Sequence, residues 1–227
     1  MFKTRLLSGI LLVIIAFVTI MSGDYVLLLT LLAVSLIGMR ELYSAMGVHK
    51  KGTDLLELAG YLGAVMYYGM MAVILSLVLL MFVYVFLYPK YHADEIMSAF
   101  FGLVYVAVML SFILLTRNLE NGKILVWLIF FCSWGCDTCA YCVGVLIGKH
   151  KMAPKLSPKK SIEGAVGGVV GAALLAIIYG FVFKDAMGCT TQTIWFMAGI
   201  CAVGALISMV GDLTASAIKR NYEIKDY

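Results

Sequence analysis

Residues 208–221 read SMVGDLTASAIKRN, the part of this sequence with the densest candidates for chemistry. At about 100° per residue, Ser208, Asp212, Ser216 and Lys219 fall within an arc of roughly 80° on one helix face, with Arg220 about 40° outside it. A carboxylate flanked by hydroxyls suits Mg2+, a hard cation that prefers oxygen ligands and often shares them with substrate phosphates. The ammonium and guanidinium at the end of the face suit an anion. The plainer alternative is a helix end with interfacial basic residues and Asp212 paired to Lys219.

A second cluster lies at 132–144, CSWGCDTCAYCVG, with three cysteines spaced C-x-x-C-x-x-C and Asp137 among them. A zinc or iron-sulfur site needs the sulfurs to converge, and on a straight helix Cys136 and Cys142 stand about 9 Å apart along the axis. Around that helix Cys136, Cys139 and Cys142 fall on the same side as Cys132, whereas Asp137 projects well away from them. The cysteines are therefore expected to pack as small apolar side chains. An ionisable group inside an apolar run is costly and marks a candidate site, so Asp137 is the residue that needs a function.

Between these clusters runs 148–163, GKHKMAPKLSPKKSIE, with Lys149, Lys151, Lys155, Lys159 and Lys160. Pro154 and Pro158 argue against a continuous helix. Such a proline-bent basic loop, with Ser157 and Ser161 as hydroxyl donors, can wrap a phosphorylated ligand; juxtamembrane lysines attracted to anionic lipid are the simpler reading. Gly164, Gly167, Gly168 and Gly171 come next, at spacings that let membrane helices approach closely. The run does not match G-x-x-x-x-G-K-[ST], so a P-loop is not supported.

The elements that must hold these residues are membrane helices. The chain has 227 residues, 63% hydrophobic and 13% charged, with a mean hydropathy of +1.01, which is far too apolar for a soluble domain. Apolar runs at about 6–21, 26–39, 55–71, 73–88, 96–115, 124–147, 164–183 and 194–214 predict an all-α, polytopic integral membrane helix bundle of about eight spans. No cleavable signal peptide is evident, and the first run is read as a span that stays. With the N-terminus cytoplasmic, every Lys and Arg except Arg117, Lys123 and Lys184 falls on the inner side, as the positive-inside rule asks. The net charge of +4 thus gathers at one membrane face and gives no reason to expect nucleic-acid binding. Residues 1–123 form an N-terminal membrane part with little polar content, where Arg40, Glu41, Asp94 and Glu95 read as interfacial or loop charges. Residues 124–227 carry the chemistry.

The C-terminal pattern S-x-x-K-R-x-x-x-x-K-D, formed by Ser216, Lys219, Arg220, Lys225 and Asp226, resembles the first half of the signature of phosphatidate cytidylyltransferases, the CDP-diacylglycerol synthases. Gly211-Asp212-Leu213, the set Trp134, Asp137, Thr138, Ala140, Tyr141 and Gly144, the basic loop, KTRLLSGI near the start and Arg40-Glu41 are similar to other segments of that family. The resemblance implies a membrane enzyme with Mg2+ and, of unknown identity, a second metal. It would join CTP to phosphatidate, with pyrophosphate released, as a homodimer in the cell membrane with its active-site loops cytoplasmic. It implies that Asp212 binds a divalent metal beside Ser216, and that Asp226 is a further metal ligand. Lys219, Arg220 and Lys225 would bind phosphate groups. Lys155, Ser157, Lys159 and Lys160 would hold CTP or the lipid phosphate, and Asp137 would support metal or nucleotide. The family signature continues through His-Gly-Gly and Asp-Arg, whereas this sequence stops at Tyr227; the resemblance thus implies a C-terminally truncated member with impaired activity. A CTP-dependent lipid kinase, a cytidylyltransferase acting on another lipid, and a non-catalytic transporter or scaffold remain the alternatives.

Overall fold

The computed structural model describes residues 2–48, 54–70 and 73–222, and Lys225 and Asp226 lie outside the described residues. Each of the apolar runs read from the sequence coincides with a helix. These are α1 (Phe2–Ser22), α2 (Asp24–Ala45), α3 (Leu55–Met70), α4 (Val73–Phe86), α5 (Ala93–Arg117), α6 (Gly122–Ile147), α7 (Ile162–Val182) and, after the short α8 (Lys184–Met187), α9 (Thr191–Asn221). Five of them, α2, α5, α6, α7 and α9, are long and apolar enough to cross a membrane. Leucines, valines and phenylalanines remain exposed along these helices, which suits hydrocarbon and not water as their surroundings. The molecule is an all-α membrane helix bundle with one small addition, the antiparallel hairpin of β1 (Lys151–Ala153) and β2 (Ser157–Ser161) between α6 and α7.

The contacts divide the chain into two compact units, one ending at Asn118 and the other beginning at Leu119. The first is held by apolar burial and by hydrogen bonds between helices, which act as glue where lipid offers no competing water. Ser35 Oγ lies 2.9 Å from Tyr68 OH, and Tyr67 OH lies 2.8 Å from Ser111 Oγ. Tyr43 OH donates to the Ala99 carbonyl at 2.8 Å. Arg117 Nε donates to the Ile20 carbonyl at 2.8 Å, and the guanidinium sits so close to Gly23 that a Cβ there would fall 2.8 Å from it. Gly23 also has φ 66, so glycine serves both the backbone turn and the space at the α1–α2 junction. This unit is less plain than its sequence suggests. Asp54 and Glu57 are both buried to 7% exposure. Asp54 accepts from the Leu56 amide at 3.3 Å and from the Tyr91 hydroxyl, tying the start of α3 to the segment before α5. Glu95 likewise accepts from the His92 amide at 2.9 Å, a helix-start contact in place of a solvated loop charge.

In the second unit α6, α7 and α9 pack around small residues. On α7, Gly164, Gly168, Ala172, Ala176 and Gly180 are all buried, a four-residue spacing that makes one face. Their neighbours are the cysteines. A Cβ on Gly168 would lie 2.9 Å from both the Cys136 carbonyl and its Sγ, and one on Gly171 would collide with the Cys139 side chain. On α9, a Cβ at Gly204 would fall 2.7 Å from Cys132 Sγ. All six cysteines are free thiols, and these three are packing residues, as helical geometry predicts.

The straight-helix picture needs one correction. Residues Phe131–Gly135 form a π-helical turn inside α6, and such a turn rotates the residues before it relative to those after it. Cys132 consequently faces α9, while Cys136 and Cys139 face α7. Gly168→Leu is expected to destabilise the protein by about 1–3 kcal/mol through overpacking. Gly199→Ala, where a Cβ meets nothing within 4 Å, is expected to be neutral or slightly stabilising. Unfolding titrations in detergent measure both.

Candidate functional site

The basic segment between α6 and α7 is a hairpin, and each of its sequence features has a structural use. Leu156 N donates to the Ala153 carbonyl at 3.2 Å, so Pro154 and Lys155 are the central residues of a turn, with proline where its fixed φ is favoured. Pro158 cannot donate to a ladder, and it falls between the paired positions Ala153–Ser157 and Lys151–Ser161, where the register is irregular. Regular alternation would send Lys159 and Lys160 to opposite faces; with the irregularity both line one cavity.

Two residues anchor the hairpin to α7. Ser161 is the N-cap, its Oγ accepting from the Gly164 amide at 3.1 Å. Glu163 accepts from the Lys149 amide at 3.1 Å and the His150 amide at 3.2 Å, and its Oε1 lies 2.6 Å from His150 Nδ1. The chain leaving α6 is thereby tied back to the first turn of α7. Glycines make room for this: a Cβ on Gly148 would lie 2.6 Å from Ser161 Oγ, and one on Gly164 would lie 2.8 Å from the Ala140 carbonyl.

The cavity enclosed by α6, the hairpin, α7 and α9 has a volume of about 520 Å3, a size common for small-molecule sites. Its polar wall consists of Asp137, Ser157, Lys159, Lys160, Ser161 and Asp212, and its apolar wall includes Tyr141, Val145, Met152 and Met209. Lys160 Nζ donates to Asp212 Oδ2, which joins the hairpin to α9. The lysine side chain is 27% exposed and the aspartate 54%, so the pair sits at the cavity surface, where a ligand can compete for either partner. Asp137 lies within electrostatic reach of both.

Of the residues singled out in the sequence, Asp137, Ser157, Lys159, Lys160 and Asp212 come together here. Lys155 is exposed at the hairpin turn, and Lys219 and Arg220 are in the last turn of α9; none of the three lines the cavity. Ser216 Oγ donates to the Asp212 carbonyl at 2.9 Å, a bond within the helix that turns the hydroxyl toward the backbone. The side chain of Lys160, 52 residues away in the sequence, reaches Asp212. The anchoring role of Glu163 was missed by sequence reasoning, although the serine directly before an apolar run is a helix-start signal.

A divalent cation fits this donor set. Asp137 and Asp212 bring carboxylates to one cavity with the Ser157 hydroxyl, all hard oxygen donors. Among the described residues no group of three or more His, Cys, Asp or Glu is arranged to hold a metal. Asp137 and Asp212 would be the carboxylates available to a cation that completes its shell with water and phosphate oxygens, as Mg2+ commonly does.

The fold and cavity define a class: a polytopic membrane helix bundle with a cavity whose wall carries both lysines and carboxylates. Comparison with known proteins makes this specific. The sequence model of the cytidylyltransferase family matches residues 3–227, and the chain belongs to that family. It is 26% identical over 243 residues to a phosphatidate cytidylyltransferase of Bacillus subtilis (strain 168), covering 99% of this chain and 86% of that protein. To a phosphatidate cytidylyltransferase of Staphylococcus aureus (strain COL) it is 27% identical over 133 residues, covering 57% of this chain and 48% of that protein, so the chain spans about half the length of that relative. A Haemophilus influenzae phosphatidate cytidylyltransferase is 30% identical over 112 residues, covering 49% of this chain and 38% of that protein.

Glu163→Gln removes the charge that gathers two backbone amides. Hydrogen exchange at the Lys149 and His150 amides is expected to accelerate about tenfold, matching the loss of roughly 1.4 kcal/mol from charge-assisted bonds, while exchange in the middle of α7 is unchanged.

Proposed function

We propose that the protein transfers a cytidylyl group from CTP to phosphatidate, as the resemblance and the names of its relatives suggest. A phosphate oxygen of phosphatidate attacks the α-phosphorus of CTP. A new P–O bond forms, the bond to the departing pyrophosphate breaks, and CDP-diacylglycerol results. The observation that carries this reading is the convergence of Asp137, Lys159, Lys160 and Asp212 on one cavity in a chain of this family.

Transfer of this kind depends on positioning and on neutralising charge on the phosphates. Lys159 and Lys160 supply that charge from the hairpin, and the Ser157 hydroxyl can donate to a phosphate oxygen. Asp137 and Asp212 would hold Mg2+, which when bound neutralises and orients phosphate oxygens. Lys160 has a second part. Its bond to Asp212 keeps the carboxylate compensated until ligands enter, and the flexible lysine stem lets the ammonium turn to a phosphate. The wall of Tyr141, Val145 and Met152 offers apolar surface to the lipid. By the family resemblance, Lys155, Lys219, Arg220 and Lys225 would be further phosphate-binding residues, and Asp226 would be a further metal ligand. The distribution of basic residues supports a cytoplasmic N-terminus and a hairpin on the cytoplasmic side of the cell membrane.

Purified protein in phosphatidate-containing micelles is given Mg2+ and CTP labelled at either the α- or the γ-phosphate. The reading expects label from the α-position to enter the lipid and γ-label to leave as pyrophosphate. Lipid carrying the γ-label would identify a kinase, and neither labelled lipid nor CTP binding would overturn the reading. Asp212→Asn is expected to lower transfer about 100-fold or more, and Lys160→Ala to raise the KM for CTP.

A further inference from the structure

A second cavity lies in the first unit, between α2 and α3, with a volume of about 440 Å3, and the cytidylyl-transfer reading makes no use of it. Its walls are Leu36, Ile37, Leu58, Leu62 and Val65, with Tyr61 and one charged side chain, Arg40. The two helices run antiparallel. Ser35 is bonded to Tyr68, and nearer the other end Gly60 lies against Tyr43. The groove is therefore polarised along the helix axes. Arg40 and Leu58 lie toward the end where α2 finishes and α3 begins, and Leu36 and Val65 lie deeper. From Leu58 to Val65 it runs about 10 Å along α3.

Its surroundings identify the medium. Ile37, Leu58 and Leu62 are 60%, 52% and 48% exposed on helices of a membrane bundle, so the groove opens to lipid. Arg40 is also exposed and stands five residues before the end of α2, within snorkelling reach of the headgroup level. Tyr61 OH donates to the buried carboxylate of Glu57, which draws the phenol toward α3 and leaves its ring as groove wall. A guanidinium over an apolar slot complements a phosphate ester above an acyl chain, and the planar fork can grip two phosphate oxygens at once. By the distribution of Lys and Arg, this end of α2 is on the basic side of the membrane, where anionic headgroups concentrate.

We propose that the α2–α3 groove is a binding site for an anionic phospholipid, with the headgroup phosphate on Arg40 and one acyl chain against Leu36, Leu62 and Val65. The site shares no lining residue with the cavity of Asp137 and Asp212 and holds a lipid of the surrounding leaflet. It does not depend on the transfer reaction.

The test uses the whole chain in nanodiscs containing photoactivatable phosphatidylglycerol or photoactivatable phosphatidylcholine, with crosslinked peptides mapped by mass spectrometry. Phosphatidylglycerol is expected to label residues 55–65 about fivefold more than phosphatidylcholine does, as one interfacial cation implies. The excess should vanish in Arg40→Gln and persist in Asp212→Asn. Leu62→Trp, which fills the slot, should reduce labelling by both lipids while the protein keeps its melting temperature to within a few degrees. Equal labelling by the two lipids, or an excess that survives Arg40→Gln, would overturn the proposal.

Discussion

The close approach of α6 to α7 is the constraint on which the candidate site depends. Where Gly164, Gly168 and Gly171 meet Ala140, Cys136 and Cys139, no side-chain atom fits between the helices. Without water or a strong hydrophobic drive between helices in lipid, such packing is a main source of their association. It also fixes where the chain leaves α6 and enters α7, which leaves the intervening residues little choice but a tight hairpin. Asp137 projects on the polar side of the same helix turn whose cysteine lies against α7. One packing decision thereby sets both a carboxylate and the base of the lysine-bearing hairpin.

Onto this frame the polar contacts add direction. Ser161 and Glu163 use one helix start to satisfy its own amide and to recover two amides from the end of α6. The result is a hairpin with a stiff base and exposed cationic side chains. The Lys160–Asp212 pair then connects it to α9. Partly exposed ion pairs contribute little stability, so this one is better understood as a placement of charge: it puts an exchangeable ammonium next to a carboxylate in a cavity that already holds a second carboxylate.

Much of this was legible in the sequence, for identifiable reasons. The spans were, because hydrocarbon thickness imposes length and apolarity directly on composition. The separation of the cysteines from Asp137 was, because helical periodicity is local. The pairing of Asp212 was not: on its own helix Lys219 is the natural candidate, whereas Lys160 arrives through a tertiary contact that no local pattern encodes. The π-helical turn at Phe131–Gly135 was equally hidden, since its residues differ little from those of an α-helix. Nothing in the sequence singles out Asp54 and Glu57 as buried, and tertiary or helix-turn contacts such as those from Tyr91 and Tyr61 accommodate them.

The central claim is that the hairpin and α9 form one nucleotide site through Lys160 and Asp212. A double-mutant cycle on CTP binding in the presence of Mg2+, with Lys160→Met, Asp212→Asn and the pair, measures this most directly. Each single change should weaken binding about tenfold or more, and the double variant should bind no worse than the weaker-binding single one, because in the proposed site Lys160 directly and Asp212 through Mg2+ would serve the same phosphates. Losses that simply multiply, or single variants that bind CTP as tightly as the parent, would contradict the account.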